Sequence, residues 1–365
     1  MITVLIFLAV LFVLILVHEW GHFITAKLTG MRVDEFAIGF PPKLFSWKRG
    51  ETEYSLNALP IGGFVRIYGE DPTQVAAASA DSARAFGSRP KWAQAIVLVA
   101  GVTMNVAFAW FLFVIMLTTG VPTQVEEQAA TAEAKMVVSG ILPKSPADGT
   151  LIPNSIIISA QAGEDTLISI KPSTFSEFMS THADTPVTIG YTGSDGEIKS
   201  VAVTPKKGLI AASPERAAIG VQLSYVEVVA RPFGEAIVEA GQLTVASTLA
   251  ITNGLWDLIK GAFAGTADFS QVAGPIGIVN YVGDAAAVGF TSLLYFTAII
   301  SLNLAVINLL PIPALDGGRL VFVAIEAVTR RPIPPVWAAR VNLAGFAFLM
   351  LLMIAATIGD IYKLF

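Results

Sequence analysis

Four long apolar runs constrain the fold of this chain more than any other feature of its sequence. The first is MITVLIFLAVLFVLILV, which continues to about residue 26, and the others are Trp92–Thr118, Phe290–Leu310 and Val336–Ile358. A helix of about 20 apolar residues is long enough to cross a bilayer. Only 14% of the 365 residues are charged, against roughly 25% in a soluble domain. We therefore predict a multi-pass α-helical membrane protein with about four transmembrane helices in the lipid bilayer.

The distribution of basic residues predicts how these helices are oriented. The connections 31–91 and 319–340 hold eight and four Lys or Arg residues, whereas 121–290 holds nine basic and seventeen acidic residues. Cytoplasmic connections are enriched in basic residues. We predict that the first and third connections are cytoplasmic and that the central segment and both termini lie outside the cell (inner) membrane. No basic segment precedes the first run and no Ala-x-Ala site closes it, so we interpret it as a retained helix and not as a signal peptide.

The central segment changes from long apolar runs to short β-type runs separated by Gly, Pro and Asp. The predicted strands are Met136–Leu142, Ser155–Ala160, Leu167–Ile170, Val187–Tyr191, Ile198–Val203 and Ile219–Val228, with a helix at Ser173–His182 and a hairpin turn at Thr192–Gly196. This pattern is typical of a compact α+β domain.

We divide the chain into three parts on these patterns. Residues 1–120 form an N-terminal membrane part, 126–229 form the inserted α+β domain, and 230–365 form a C-terminal membrane part. The last part begins with helical apolar spacing from Pro232 to Lys260, which predicts an amphipathic helix on the membrane or on the bundle.

The first connection is too apolar for a solvated loop. Its β-type runs are Val33–Ile38, Leu44–Trp47, Tyr54–Leu59 and Phe64–Tyr68, separated by glycines and prolines. We predict a few short strands and turns that form a membrane-associated β-loop.

The motif His18-Glu19-Trp20-Gly21-His22 lies inside the first apolar run. Residues four apart share one face of a helix, so both imidazoles can bind one Zn²⁺ while Glu19 takes a proton from the attacking water. Histidines and a glutamate inside a membrane helix are costly unless they have a function, which disfavours a role in helix packing alone. We predict that His18 and His22 are metal ligands and that Glu19 is catalytic.

Two histidines leave a catalytic zinc site one protein ligand short. We favour Asp316 as the third metal ligand, because Pro311 and Pro313 end the third helix and open the backbone at the level of His22. The alternative is that Asp316 only caps the next helix or makes a turn. His182 belongs to the inserted domain, and we interpret it as a surface histidine.

Three asparagines lie in the apolar helices. Asn308, the one nearest Asp316, is a candidate catalytic residue that would stabilise the tetrahedral intermediate, with helix packing as an equal alternative. For Asn303 and Asn105 we favour helix packing.

Composition excludes several other functions. The chain has no cysteine, which excludes disulfides, thiol nucleophiles and cysteine metal sites. It has a formal net charge of −5 and no long basic run, so nucleic acid is not expected as a partner.

Five motifs occur together in the order and spacing of one known family. They are HEWGH, PIGGFVRIYGE at Pro60–Glu70, AGVTMN at Ala100–Asn105, AGPIGIV at Ala273–Val279 and NLLPIPALDGG at Asn308–Gly318. Together they resemble the site-2 protease family of intramembrane zinc metalloproteases, in the bacterial branch that includes RseP.

The resemblance implies a hydrolase that cuts peptide bonds in or near transmembrane helices of other membrane proteins, for example an anti-sigma factor, after an upstream site-1 protease has made a first cut. His18, His22 and Asp316 match the family's zinc ligands, and Glu19 matches its catalytic glutamate. The inserted domain would be PDZ-like, with its usual opening at Ser139–Ala147. RseP carries two such domains in tandem, whereas this sequence has room for one.

Rival functions remain for the experiments to separate. A membrane scaffold that binds peptide ends without catalysis would have no need of Glu19. A metal transporter would need polar residues spread through several helices, whereas here they are concentrated at one level. A protease that clears remnant signal peptides is indistinguishable by sequence from one that acts in signalling.

Overall fold

The computed structural model describes residues 2–70, 81–131, 134–168, 171–193, 196–210, 213–266 and 272–363. The helices are α1 (Ile2–Leu28), α2 (Lys91–Thr119), α3 (Pro172–Thr181), α4 (Phe233–Ala264), α5 (Pro275–Val288), α6 (Phe290–Asn308), α7 (Asp316–Thr329) and α8 (Pro335–Lys363). The strands are β1 (Val33–Arg49), β2 (Thr52–Ile67), β3 (Val121–Val125), β4 (Lys135–Ile141), β5 (Ile156–Ala162), β6 (Asp165–Leu167), β7 (Val187–Thr192), β8 (Ile198–Val203) and β9 (Val221–Val229).

The four apolar runs form helices α1, α2, α6 and α8, which are long and apolar enough to cross a membrane. The prediction of about four such helices is confirmed. Large apolar side chains on α8, including Phe346 and Leu351, are exposed. Such a surface suits contact with lipid rather than with water.

Contacts within the chain separate two compact units. The membrane unit comprises Met1–Thr118 and Pro232–Phe365, and the central unit comprises Thr119–Arg231.

The first connection forms one antiparallel hairpin of two long strands, not the several short strands that were predicted. The first part of β1 lies between two stretches of β2, so that Phe36 faces Tyr54 on one side and Val65 on the other. Gly39 has a positive φ of +81°, a conformation that glycine adopts without steric cost. Bends of this kind, which interrupt the alternating pattern without ending the strand, explain why the sequence suggested separate strands.

The central unit is an antiparallel sheet in the order β3-β9-β4-β5-β7-β8, with β6 beside β5. Helix α3 contributes Phe175 and Met179 to a buried apolar core that includes Val138 and Ile189. The structure adds β3, which was not predicted. The predicted strand Leu167–Ile170 and turn Thr192–Gly196 include residues 169–170 and 194–195, which lie outside the described residues.

The predicted amphipathic helix forms α4 and extends to Ala264, before Gly265 in the left-handed conformation. The motif AGPIGIV begins a further helix, α5, that the sequence did not predict. The backbone N–H groups of Gly274 and Gly277 donate hydrogen bonds to the buried carboxylate of Asp360 on α8, at 3.0 and 2.8 Å. Because the first N–H groups of a helix have no partner within it, this distant carboxylate fixes the start of α5.

Candidate metal centre

His18 and His22 lie one turn apart on α1 with their rings edge to face, at a centroid distance of 4.7 Å. Their Nε2 atoms are 3.1 Å apart. His22 is buried, and the side chain of His18 is only 12% exposed. The helical spacing therefore brings both imidazole nitrogens to one point, as the sequence motif predicts.

Asp316 reaches the same point from the first residue of α7. Its Oδ2 atom lies 3.1 Å from Nε2 of His18 and 3.3 Å from Nε2 of His22. The residue at the N-cap of α7 is Leu315, so Asp316 does not cap the helix. Its carboxylate points to the histidines instead.

These three atoms have the separation that a metal ion requires. Asp316 Oδ2 is buried and accepts no hydrogen bond from the described residues, although two imidazole nitrogens lie beside it. A tetrahedral zinc ion with ligand bonds of about 2.0–2.1 Å separates its ligand atoms by about 3.3 Å. The distances of 3.1 to 3.3 Å therefore fit one Zn²⁺ between His18, His22 and Asp316.

The turn before Asp316 is shaped by close backbone contacts. Ala314 has a φ of +76°, and Asn342 on α8 accepts a hydrogen bond from its backbone N–H at 3.4 Å. A Cβ on Gly317 or Gly318 would overlap carbonyl groups of the preceding turn, and one on Gly345 would overlap Pro313. Small residues at these positions let the segment fold back tightly enough to direct Asp316 inward.

Helix α2 packs directly against the histidine pair. A Cβ on Gly101 would lie 2.7 Å from Cε1 of His18 and would also overlap His22. The backbone carbonyl of Val97 lies 2.8 Å from Nδ1 of His22, and the amide of Asn105 lies 3.3 Å from Nδ1 of His18. Sequence reasoning assigned Asn105 to helix packing and missed this contact.

Glu19 lies beside the histidines on the side of the β1–β2 hairpin. It lines a small cavity with Phe36 and Gly63, and a Cβ on Gly63 would lie 3.3 Å from its Cγ atom. Its carboxyl group interacts electrostatically with His18, His22 and Asp316. Glu19 is therefore close to the candidate ligands but is not one of the three residues that converge.

The remaining predicted residues are not among the three whose ligand atoms converge. Asn308 is the half-buried last residue of α6 and is not part of the converging group. Asn303 donates a hydrogen bond to the carbonyl of Ile299 in its own helix, at 2.9 Å. His182, in the central unit, lies 3.2 Å from a carboxylate oxygen of Asp165.

A larger cavity, of about 930 Å³, lies between the hairpin and helices α7 and α8. One wall is the stretch Phe64–Ile67 of β2, and the opposite wall includes Phe322 and Asn342. Arg319 of α7 forms an ion pair with Glu70, and both residues line the cavity. The cavity, beside the turn that carries Asp316, therefore combines apolar side chains with the charged residues Arg66, Glu70, Arg319 and Glu326.

A second ionic cluster fastens the end of α1 to the hairpin turn. Glu51 pairs with Arg84 at 2.7 Å and with Lys27 at 2.6 Å. Hydrogen bonds from Arg84 and Lys27 lower the pKa of the Glu51 carboxyl group from 4.5 to about 2. The cluster therefore connects the hairpin turn to the end of α1, the helix that carries the histidine motif.

A histidine pair and a carboxylate that meet between membrane-length helices are features of a membrane-embedded metalloenzyme. Comparison with known proteins identifies the family. The sequence profile of Peptidase family M50 matches residues 6–352. The chain therefore belongs to this family, the site-2 proteases, and is a membrane-bound zinc metalloprotease.

Relatives align over nearly the whole chain. Zinc metalloprotease RasP of Geobacillus kaustophilus is 31% identical over 424 residues, which cover 100% of this chain and 98% of the relative. Zinc metalloprotease RasP of Oceanobacillus iheyensis is 30% identical over 451 residues, with 100% of both chains covered. Regulator of sigma-W protease RasP of Bacillus subtilis is 28% identical over 445 residues, which cover 100% and 99% of the two chains.

Proposed function

We propose that the protein is an intramembrane endopeptidase in which His18, His22 and Asp316 hold Zn²⁺ and Glu19 transfers protons. The convergence of these three ligand atoms beside Glu19, with both histidines on a helix long enough to span a membrane, carries the proposal. Their separations of 3.1 to 3.3 Å fit a tetrahedral zinc ion.

The zinc ion would supply Lewis-acid chemistry, polarising the scissile carbonyl and making water acidic enough to attack near neutral pH. Glu19 accepts the proton of the attacking water and returns it to the leaving amine. Asn308 is the proposed donor of a hydrogen bond to the oxyanion of the transition state. On this basis Asn308→Leu lowers kcat while zinc content stays at the wild-type level.

The substrate has to present an extended backbone, because a helical backbone hides its carbonyl groups. The stretch Gly63–Ile67 of β2 pairs with β1 on one side and borders the 930 Å³ cavity through Phe64–Ile67. An added strand there would recover the hydrogen bonds that a substrate loses when its helix unwinds. Gly63 and Glu19 line the same small cavity, so a peptide on this edge would pass close to the proposed general base.

The central unit is the proposed PDZ-like peptide-binding domain. A cavity of about 410 Å³ lies between the end of β4, the start of β9 and helix α3, with Leu223 and Met179 in its lining. Strand β3 pairs with β9 only from Tyr225 onward. Within the described residues, Val221–Ser224 therefore has no neighbouring strand on the β3 side, and an extended peptide could pair there.

We further propose that the protein acts in regulated intramembrane proteolysis. Substrates would be single-span membrane proteins such as anti-sigma factors, first cut by an upstream site-1 protease. A relative whose name is Regulator of sigma-W protease RasP supports this role. Clearance of remnant signal peptides is the alternative, and rates of cleavage of the two substrate classes by the purified enzyme decide between them.

The proposed location is the cell (inner) membrane, with the active site near the cytoplasmic face and the central unit outside. The absence of cysteine allows a clean labelling test in intact cells. A membrane-impermeant thiol reagent should label Ser213→Cys in the central unit but not Arg331→Cys after α7, both exposed positions. Labelling of Arg331→Cys but not of Ser213→Cys would show that the orientation is the opposite of the one proposed.

Metal content and cleavage, measured together, test the proposed site. Wild type and Glu19→Gln should each bind about one zinc per chain, but only wild type should cleave a single-span substrate in liposomes. Asp316→Ala should lose both zinc and cleavage. Asp257→Ala, at an exposed carboxylate on α4, is the matched control and should behave as wild type. Cleavage by Glu19→Gln at the wild-type rate would refute the assignment of the base.

A further inference from the structure

One face of α2 contacts the ring nitrogens that the histidines turn away from Asp316. Val97, Gly101 and Asn105 are spaced four residues apart, so they lie on the same face of the helix. Val97 and Asn105 each lie opposite one Nδ1 atom, and Gly101 leaves room for the two rings between them. The Nδ1 atoms of both histidines therefore have their partners on a single helix.

These partners decide which ring nitrogen carries the proton. The Nε2 atoms face Asp316, and a nitrogen that binds a metal must be unprotonated. The proton of each neutral ring must then be on Nδ1, and ligating histidines almost always donate that N–H to an acceptor. Because a backbone carbonyl can only accept, Val97 satisfies this requirement for His22.

Asn105 can satisfy the same requirement for His18. The two ends of an amide have the same shape, so hydrogen-bond partners decide which end faces the imidazole. With Nδ2 toward His18, the Oδ1 atom is buried and has no hydrogen-bond partner among the described residues. Turning the amide over places Oδ1 beside Nδ1, where it accepts the N–H.

We propose that Asn105 is a positioning residue whose Oδ1 accepts the Nδ1–H of His18 and so keeps Nε2 available for zinc. Asn105 is fully buried, and its backbone carbonyl accepts a hydrogen bond from Ser301 of α6 at 2.8 Å. This contact between α2 and α6 fixes the amide at the height of His18. The inference rests on the proposed function, in which His18 is a zinc ligand.

The tautomer of His18 can be observed directly in the zinc-loaded protein. The chain has three histidines. In the ¹⁵N-labelled His182→Gln variant in lipid bilayers, the imidazole ¹⁵N NMR signals therefore come from His18 and His22 alone. Both rings should show a protonated Nδ1 and an unprotonated Nε2. A protonated Nε2 on His18, or a metal shift at its Nδ1, would overturn the inference without any change at Asn105.

Zinc affinity gives a second test that does not depend on cleavage. In competition with a chelator, Asn105→Leu should weaken zinc binding by about 10- to 100-fold, the usual effect of losing a hydrogen-bond partner of a metal ligand. Asn105→Asp, which keeps an acceptor, should stay within about threefold of wild type. Asn303→Leu is the matched control, because Asn303 bonds only to its own helix among the contacts described above.

The variants separate failure of this inference from failure of the proposed function. Wild-type zinc affinity in Asn105→Leu, or equal losses in Asn105→Leu and Asn105→Asp, would refute the role of Asn105. If His18→Ala meanwhile loses zinc, the proposed ligand set stands. Full zinc binding by His18→Ala would refute the ligand set itself.

Discussion

The central unit and the membrane unit are each stabilised internally by a different kind of packing. The core of the central unit is apolar, with Phe175 and Ile189 fully buried, and turn glycines such as Gly149 have open space around them. The membrane unit buries Asn105 and Ser301 and uses glycines where helices and turns meet closely. Lipid is as apolar as a leucine side chain, so helices in a membrane associate through close packing and hydrogen bonds. The candidate metal centre lies among such contacts, since neither Gly101 of α2 nor Gly317 of α7 has room for a Cβ.

The largest effect should follow from filling the space between α2 and the histidines. Gly101→Val places a side chain where both imidazoles lie, so zinc affinity should fall by more than about tenfold and cleavage should be lost. Zinc content by mass spectrometry and cleavage in liposomes measure this. Gly254→Val is the control, since Gly254 is helical with open space around it. Equal zinc binding by the two variants would show that the α2 contact is not needed.

A large-to-small substitution in the core of the central unit should lower the stability of that unit alone. Phe175→Ala removes a fully buried ring and should lower the free energy of unfolding of the central unit by about 3–5 kcal/mol. Zinc content should stay at the wild-type level. Thermal unfolding followed by limited proteolysis of the full chain measures the first effect. Loss of zinc in parallel would contradict the independence of the two units.

A smaller change beside Glu19 should separate catalysis from metal binding. Gly63→Ala places a methyl group 3.3 Å from Glu19 Cγ and 3.0 Å from the carbonyl oxygen of Ala37, so Glu19, the proposed general base, must shift. Because a small misplacement of a catalytic group costs up to about 100-fold, we expect kcat to fall by about tenfold with zinc retained. Gly254→Ala, at a helical position with no atom within 4 Å of the added methyl group, is the control. A wild-type kcat in Gly63→Ala would contradict the assignment of Glu19 as the general base.

The smallest effect concerns the ionic cluster at Glu51. The folded pKa of Glu51, about 2, lies below the ordinary 4.5, so its contribution to stability is complete above pH 4.5 and disappears as the pH falls through 2. Between about pH 5 and pH 3, the melting temperature of wild type should fall more steeply than that of Glu51→Gln. Parallel curves for the two proteins would mean that the cluster adds no pH-dependent stability.

Much of the membrane unit could be predicted from the sequence because its signals are local. Apolar runs predict helices α1 and α2, and the spacing of His18 and His22 predicts that they meet. Asp316 was predicted because two histidines leave a zinc site one ligand short, because Pro311 and Pro313 open the backbone at the level of His22, and because its motif resembles that of the family. Local patterns do not contain the contacts that depend on how distant helices pack. Asn105 against His18 and Asp360 at the start of α5 are examples, and only the assembled helices bring these residues together.

The most direct test of the account is the zinc ligand set itself. X-ray absorption at the zinc edge of the purified, zinc-loaded protein should give only nitrogen and oxygen ligands at about 2.0–2.2 Å, with two imidazoles. Removing His182 should leave the spectrum unchanged, whereas Asp316→Ala should abolish or alter it. A spectrum that depends on His182, or that is the same in Asp316→Ala as in wild type, would contradict the assignment of His18, His22 and Asp316.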